Sequence, residues 1–579
     1  MKPAGQRIGL GLAAVGLLGA GFAAMVGRLV YIHVKLGPEL TAYADARRQS
    51  EVRIPGRRGR ILDRRQRTLA GSLDVRTIYA DPVLIPDPGQ TARDLALVLD
   101  VPYDDLISRL SRRSTRYVVL QRGATEEQVS RAMELRSSVR GLGVTMEPRR
   151  SYPMRSVAAH VVGFVGAEGT GLAGVELRYD TYLRGRDGRR LVWRDPHRRP
   201  VFQEADSYVP PENGMDVVLT IDAVIQEFLE RQLAERVALH AAESAVGVVM
   251  VPSTGEVLAL ANYPAYDPAE AGKVAPDLLR NRVLTDPVEP GSIFKPFVLA
   301  KALAENLARP EETIFCHNGL YVTGKRLLHD HHPYGALTVE QVLAKSSNIG
   351  MAILGQRLGN QRMYDALYRF GFGRLTGIDL PGEGEGLMLP VKQWNSFSTT
   401  SVPMGQELAV TPIQMISAFC ALVNGGRFVP PRVVRLIASP SGEVIEDRSR
   451  PENERTVLDP QVAETMRAML VKVVTEGTGR PCELKHWQVM GKTGTAQVPR
   501  KDRRGYDGYL ASFIAAAPAH DPAVAVLIMV RRPSKNGYYG AQVALPGVKA
   551  VLEQTLTYLG VPPDGHREPA GGVPTDLRL

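Results

Sequence analysis

Cysteine is scarce: Cys316, Cys420 and Cys482 are the three in 579 residues, too few for a disulfide scaffold and odd in number, so at least one thiol is free. No fixed period recurs, which excludes repeat architectures. No Walker or dinucleotide-binding glycine pattern occurs. Long charge-free runs are also scarce, and a multispan membrane protein is excluded. What remains, 44% hydrophobic and 23% charged residues, is an ordinary globular composition that excludes wholesale disorder. At roughly 100–200 residues per domain, the length corresponds to about three or four units. The 56 glycines and 41 prolines imply many turns rather than low complexity.

Acidic residues are thin at the start of the chain. Residues 1–60 hold ten Lys/Arg against Glu39, Asp45 and Glu51, within a net charge of +10. A second basic run spans Arg184 to Arg199. Neither run carries an RNA-recognition, zinc-finger or basic-zipper pattern, so no nucleic-acid partner is expected. Beside a membrane segment such residues serve anionic headgroups.

That segment is Ile8 to Gly27, twenty residues without a charge. At 1.5 Å per residue it spans about 30 Å, the thickness of the hydrocarbon core. Gly9, Gly11, Gly16, Gly19 and Gly21 weaken a soluble helix but allow close helix contact in lipid. Lys2 and Arg7 favour a cytoplasmic start; Arg28 and Lys35 dilute that signal. The alternative is a cleaved signal peptide, against which stand the length of the run and the lack of a clean A-x-A site before Arg28. Either way the chain beyond about residue 36 lies outside the cytoplasm.

Some 180 residues of mixed, basic sequence follow. Near residue 209 the texture changes. Asp216–Asp222 reads as a strand and Ala223–His240 as a helix. Val246–Val251 and Val257–Ala261 form a hairpin, and Tyr509–Ala517 and Ala523–Val530 are again strand-like. Helical stretches, among them Lys295–Leu307 and Val339–Leu358, fall between. Strands at both ends with helices between predict an α/β (α+β) domain: one antiparallel sheet built from both termini and flanked by helices. From Gly560 onward the proline- and glycine-rich tail is expected to be disordered.

Three short motifs carry chemistry. Glu289-Pro290-Gly291-Ser292-Ile293-Phe294-Lys295 opens a helix close to Ser292, because Pro296 is acceptable only in a first turn. Ser292 and Lys295 stand at i and i+3, where the amine can approach the hydroxyl. A serine is a poor nucleophile until a base takes its proton, and a desolvated lysine near another cation can be that base. Ser346-Ser347-Asn348, taken alone, is an N-cap; it also offers a hydroxyl to relay a proton and an amide to position substrate. Gly491-Lys492-Thr493-Gly494-Thr495 suits an edge strand, where Gly494 lets a ligand approach while Lys492, Thr493 and Thr495 bind a carboxylate. Each motif alone fits a plain turn or cap. In the order S-x-x-K, S-x-N, K-T-G they are the set known from penicillin-binding proteins and β-lactamases.

On these residues the chain resembles the class B penicillin-binding proteins, most closely the septal, cell-division type of peptidoglycan D,D-transpeptidase. The likeness runs from the anchor to about Leu559. It includes R-G-x-I-x-D-R at Arg58–Arg64, R-x-Y-P at Arg150–Pro153, A-H-x-x-G-F-V-G at Ala159–Gly166, Gly405-Gln406, Val410-Thr411-Pro412 and Tyr538-Tyr539-Gly540. The resemblance implies a transpeptidase fold preceded by an elongated pedestal. Its divisions are a cytoplasmic tail (1–7), anchor and flank (8–34), pedestal (35–213), transpeptidase domain (214–559) and tail (560–579). It further implies that Ser292 is the nucleophile, Lys295 its base, Ser346 the proton relay and Asn348 a partner of Lys295 and substrate. Lys492, Thr493, Gly494 and Thr495 bind substrate, and the N–H groups of Ser292 and Thr495 form the oxyanion hole. Two departures stand out: the usual D-R-N-G reads Asp63-Arg64-Arg65-Gln66, and A-P-V-F reads Ala544-Leu545-Pro546-Gly547.

The enzyme so implied needs no cofactor or metal, although Cys316-His317 and His329-Asp330-His331-His332 offer zinc-type side chains at no standard spacing. Its expected partners are peptidoglycan stem peptides, β-lactams, a SEDS-type glycosyltransferase, divisome proteins and the cytoplasmic membrane, with one span and an extracytoplasmic catalytic domain. The competing readings are a β-lactam sensor or non-catalytic scaffold on the same fold, a hydrolase, and an elongation-type transpeptidase. The intact motif set, the seven residues before the anchor and the lack of a deacylating-base motif argue against the first three.

Overall fold

The structure, a computed structural model, describes residues 4–136, 139, 141–194, 200–203, 208–500 and 505–564. It divides into two compact units, Met1–Arg57 with Gly185–Asn213, and Arg58–Arg184 with Gly214–Leu579.

The first unit contains the apolar helix. It is helical from Ala4 to Tyr31, continues through a short wider turn at Ile32–Leu36 and resumes over Gly37–Arg48. Among the described residues this is the one helix long and apolar enough to cross a membrane, and its apolar side chains have no protein neighbours to bury them. A three-stranded antiparallel sheet follows, with Gly188–Arg194 between Gln49–Ile54 and Pro200–Gln203. Part of the basic run, residues 195–199, lies outside the described residues.

The larger unit is built on the expected sheet. Five antiparallel strands run in the order Val257–Tyr263, Ser244–Met250, Val524–Arg531, Tyr506–Ala517 and Met490–Pro499. Alternation with a period of two splits their side chains between two cores. Val248, Ile514 and Leu527 face one core, and Val249, Phe513 and Ile528 face the other. The second core is closed by Ala223–His240 and Leu545–Tyr558. The first contains Lys295–Ala304, Asn348–Phe370 and the wholly buried Pro412–Val423, which starts with a capping box between Thr411 and Gln414.

Three expectations need correction. The strand read at Asp216–Asp222 is Asp216–Leu219, and it belongs to a different sheet. There it pairs parallel with Ile61–Leu62 and antiparallel with Val434–Ala438, and that sheet continues through Thr68–Ala80 into the pedestal. The stretch Val339–Leu358 is not one helix, because the S-x-N motif breaks it into Val339–Ala344 and Asn348–Phe370. The tail expected from Gly560 stays tied down through Asp564. Trp487 Nε1 donates to the Pro562 carbonyl at 3.0 Å, and the Asp564 N–H donates to the His486 carbonyl at 2.8 Å. Residues 565–579 lie outside the described residues.

The pedestal has a satellite core of its own around Ile78, Leu95, Leu106 and Leu120. Outside that core, Arg58 and Arg150 converge on the fully buried Glu176, each through Nε at 2.6 Å, and Arg58 also reaches Asp180 at 2.6 Å. The R-G-x-I-x-D-R and R-x-Y-P stretches are therefore the two halves of one buried ion network.

Candidate active site

Ser292 lies in a 3₁₀ turn, Gly291–Phe294, that runs directly into the helix Lys295–Ala304, with Pro296 in its first turn. The turn needs Gly291 at φ +59°, and its N–H donates to the Gly405 carbonyl at 3.2 Å. Gly494 of the edge strand lies against the same turn. A Cβ there would sit 2.9 Å from Ile293 Cγ2 and 2.4 Å from Ser512 Oγ, so only glycine lets strand and nucleophile turn approach so closely.

Lys295 is fully buried and spends its amine on three acceptors: the Ser346 carbonyl at 2.6 Å, Asn348 Oδ1 at 2.8 Å and Ser346 Oγ at 3.2 Å. Lys492 is also fully buried. Its amine donates to Ser346 Oγ at 3.0 Å, the Thr493 carbonyl at 3.0 Å and Thr493 Oγ1 at 3.4 Å. Ser346 Oγ is thus held between two amines. Burial lowers the Lys295 pKa to about 7, against a smaller upward pull from Asp330. Burial, and then the nearby Lys295, hold Lys492 well below the usual lysine range. Two buried amines with lowered proton affinity thus flank one hydroxyl, an arrangement suited to proton transfer. Ser292 Oγ has no hydrogen-bond partner among the described residues, so the approach of amine to nucleophile expected from the i, i+3 spacing is not closed here.

The S-x-N motif takes its shape from two helix ends. Ser346 N–H donates to the Leu343 carbonyl at 3.2 Å and Ser347 N–H to that of Val342 at 2.9 Å, a Schellman closure with Ser346 in the left-handed position at φ +61°. That position usually holds glycine. Serine there turns its carbonyl onto Lys295 and places its hydroxyl between Lys295 and Lys492. Ser347 then caps the next helix, accepting from the Gly350 N–H at 3.0 Å. The N-cap reading of the sequence thus holds for Ser347, while Ser346 faces the two lysines instead.

The remaining hydroxyls line the edge strand. Thr493 Oγ1 lies 2.7 Å from Thr478 Oγ1, and Thr495 Oγ1 accepts from the Gly540 N–H at 3.0 Å, which leaves its own proton free to donate to a ligand.

These are the parts of an acyl-transfer site, and the chain's relatives bear on which kind. Residues 245–553 match the penicillin binding protein transpeptidase domain, and residues 53–219 match the penicillin-binding protein dimerisation domain. The chain belongs to the class B penicillin-binding proteins. It is 32% identical to stage V sporulation protein D of Bacillus subtilis over 93% of this chain and 83% of that protein. To peptidoglycan D,D-transpeptidase FtsI of Escherichia coli it is 30% identical over 94% and 90%. The crystal structure of penicillin binding protein 3 from Mycobacterium tuberculosis with aztreonam superposes with a TM-score of 0.69 at 29% identity, covering 88% of this chain and 98% of that one.

The two departures take these forms in this penicillin-binding protein. Gln66 adopts φ +62°, so the Asp63–Arg67 turn closes without glycine, and Leu545-Pro546 opens the last helix with Leu545 buried. The cysteine- and histidine-rich loop packs against the site. Cys316 is buried 3.5 Å from Ser347 Oγ, and the His331 ring packs 5.2 Å from that of Tyr539. Among the described residues, no three His, Cys, Asp or Glu side chains converge. Sequence reasoning missed two residues. Thr478 reaches Thr493 from a turn whose N–H donates to the Ala344 carbonyl at 3.1 Å. Asp330 stood hidden inside the histidine run. Neither had a local signal, because both meet the site only through tertiary contact.

Proposed function

We propose that this penicillin-binding protein is a serine D,D-transpeptidase that cross-links peptidoglycan stem peptides in septal wall synthesis, with Ser292 as the acylated residue. The observation that carries the assignment is the pair of fully buried lysines meeting at Ser346 Oγ beside the nucleophile turn. Ser292 Oγ attacks the carbonyl carbon of the penultimate D-alanine and passes its proton to the neutral amine of Lys295. The new C–O bond gives a tetrahedral oxyanion facing the N–H groups of Ser292 and Thr495. The C–N bond then breaks, and Ser346, resupplied by the lysines, protonates the departing D-alanine. An acceptor amine attacks the ester carbonyl and loses a proton to the same relay; as the new C–N bond forms, the C–Oγ bond breaks and the relay returns that proton to Ser292 Oγ. Lys492, Thr493 and Thr495 hold the terminal carboxylate across Gly494. A β-lactam enters the same path and stops at the acyl-enzyme.

Residues 8–34 serve as a single anchor in the cytoplasmic membrane, with 1–7 inside, the pedestal (35–213) and catalytic domain (214–559) outside, and 560–579 a tail. Glycan polymerisation then falls to a SEDS-type glycosyltransferase, and divisome proteins bring the two together. The run Arg150–Leu183 and a pedestal sequence without long insertions favour the septal over the elongation role.

The test is intact-mass labelling of the full-length chain in detergent with a fluorescent penicillin, beside Ser292→Ala. A stable single adduct absent from the variant supports the transpeptidase. Rapid turnover without adduct indicates a hydrolase, and neither adduct nor turnover indicates a scaffold.

A further inference from the structure

We propose that Asp330 is a positioning residue for Lys295, acting through Asn348; this rests on the reading of Ser292 and Lys295 as nucleophile and base. Asp330 follows the strand Arg326–His329 and is fixed by its N–H donating to the Gly319 carbonyl at 3.1 Å. Its Oδ1 accepts the Ile349 N–H at 3.0 Å and also the Asn348 N–H, and its Oδ2 accepts from Ser347 Oγ at 2.6 Å. The preceding residue takes the side chain of Asn348: Nδ2 donates to the His329 carbonyl at 3.0 Å. Consecutive residues of one loop therefore grip both the main chain and the amide of Asn348. With Nδ2 committed to a carbonyl, Oδ1 is left facing Lys295 Nζ at 2.8 Å. A flipped amide would set oxygen against the His329 carbonyl and N–H against the amine, so the clamp admits one orientation.

Asp330 also brings charge. The first N–H groups of the helix Asn348–Phe370 present the positive end of its dipole near Lys295, and the carboxylate that caps them offsets it. Burial drives the Lys295 pKa down, and Asp330 pulls the other way. Of the other groups around this pair, Lys492 faces Lys295 from the edge strand, while Cys316 and Tyr334 face Asp330. The next residue, His331, packs on Tyr539, which precedes the Gly540 N–H bound to Thr495, so one loop touches both walls of the cleft.

The experiment measures the second-order rate of acylation of the full-length protein by a fluorescent penicillin across a pH series, with thermal midpoints, for the wild type, Asp330→Asn, Asp330→Ala and Ser292→Ala. Asparagine keeps acceptors for the two N–H groups but carries no charge. The expected result is a folded Asp330→Asn protein whose acylation midpoint moves to lower pH by about half a unit or more. Asp330→Ala, which releases Asn348, loses about tenfold or more in rate above the midpoint. A folded Asp330→Ala protein that acylates at the wild-type rate overturns the positioning of Asn348 and leaves Asp330 a plain helix cap. A folded Asp330→Asn protein with the wild-type midpoint overturns the charge contribution to Lys295, and this arm stands even where Asp330→Ala does not fold. Labelling that survives in Ser292→Ala would instead overturn the nucleophile assignment.

Discussion

Arg58 and Arg150 in the pedestal and Lys295 and Lys492 in the catalytic cleft are all withdrawn from water, yet their surroundings are opposite. The arginines meet carboxylates: Glu176 takes one bond from each, and Asp180 takes a third. The lysines meet only neutral oxygens, and among the described residues neither has a carboxylate within ion-pair distance. Guanidinium stays charged in any protein, so a buried arginine demands its counter-charge. An amine has the other way out and releases its proton. The two arrangements therefore do different work. The first locks the segments at Arg58, Arg150 and Glu176 together, and the second lowers the proton affinity of Lys295, as its proposed role as base requires.

Breaking the catalytic half has the largest expected effect. Lys295→Met removes the proposed base and leaves an apolar side chain of similar length, so acylation by a labelled penicillin falls about 10²- to 10⁴-fold. Its thermal midpoint holds or rises, because the variant no longer buries an amine. A retained rate would move the base to Lys492. In the wild type, acylation rises with pH through about 7, where Lys295 loses its proton. The stability sign follows from the same depression. Between about 7 and the ordinary 10.5 the unfolded chain holds a proton that the folded chain has released, so the contribution of Lys295 to stability rises with pH across that window. Below it the full cost of burying the charged amine remains. Lys295→Met should flatten that slope.

Breaking the pedestal half reverses the pattern. Glu176→Gln leaves Arg58 with Asp180 alone and Arg150 without its carboxylate, at a cost of about 3–5 kcal/mol by chemical denaturation, while the molecules that stay folded acylate at the wild-type rate. A loss below about 1 kcal/mol would show that the network is not what holds these segments.

The two halves were also unequally legible in the sequence. Ser292, Lys295, Ser346, Asn348 and Lys492–Thr495 could be read because their motifs are short and local, and the sheet could be read because Val246–Val251 and Tyr509–Ala517 are apolar runs bounded by turns. The arginine network could not be read: Arg58, Arg150 and Glu176 are far apart in the chain, and an isolated Arg- and Asp-rich stretch looks like a solvated turn. Periodicity likewise carried Val339–Leu358 through as one helix, because a serine in a left-handed position leaves no mark on hydrophobic spacing. Asp330 was obscured by its histidine neighbours, whose side chains suggested metal ligands.

Ser346 sharpens the comparison. Ser346→Gly and Ser346→Ala both lose the hydroxyl proposed as the relay, and both should acylate about 10²-fold or more slowly. Glycine accepts φ +61° without steric cost, however, so Ser346→Gly should be the more stable of the two by about 1 kcal/mol. Equal stabilities would mean that the turn relaxes and carries no strain.

Gln66 is the counterpart in the pedestal and the smallest effect. It adopts φ +62° in the turn that closes with Gln66 N–H donating to the Asp63 carbonyl at 3.0 Å and Asp63 N–H to that of Arg67 at 2.9 Å. Arg65 and Arg67 N–H groups complete the turn on Asp63 Oδ1 at 2.8 and 2.7 Å. Gln66→Gly removes about 1 kcal/mol of left-handed strain but gives back about 0.4–1 kcal/mol through the freer unfolded chain, so the net change is a few tenths, stabilising or neutral. Acylation should not change. Strain at Gln66 can then be removed at no cost to activity, whereas strain at Ser346 can be removed only with the hydroxyl that the relay uses. A Gln66→Gly protein that acylated more slowly would erase that distinction, because it would couple the pedestal turn to the chemistry.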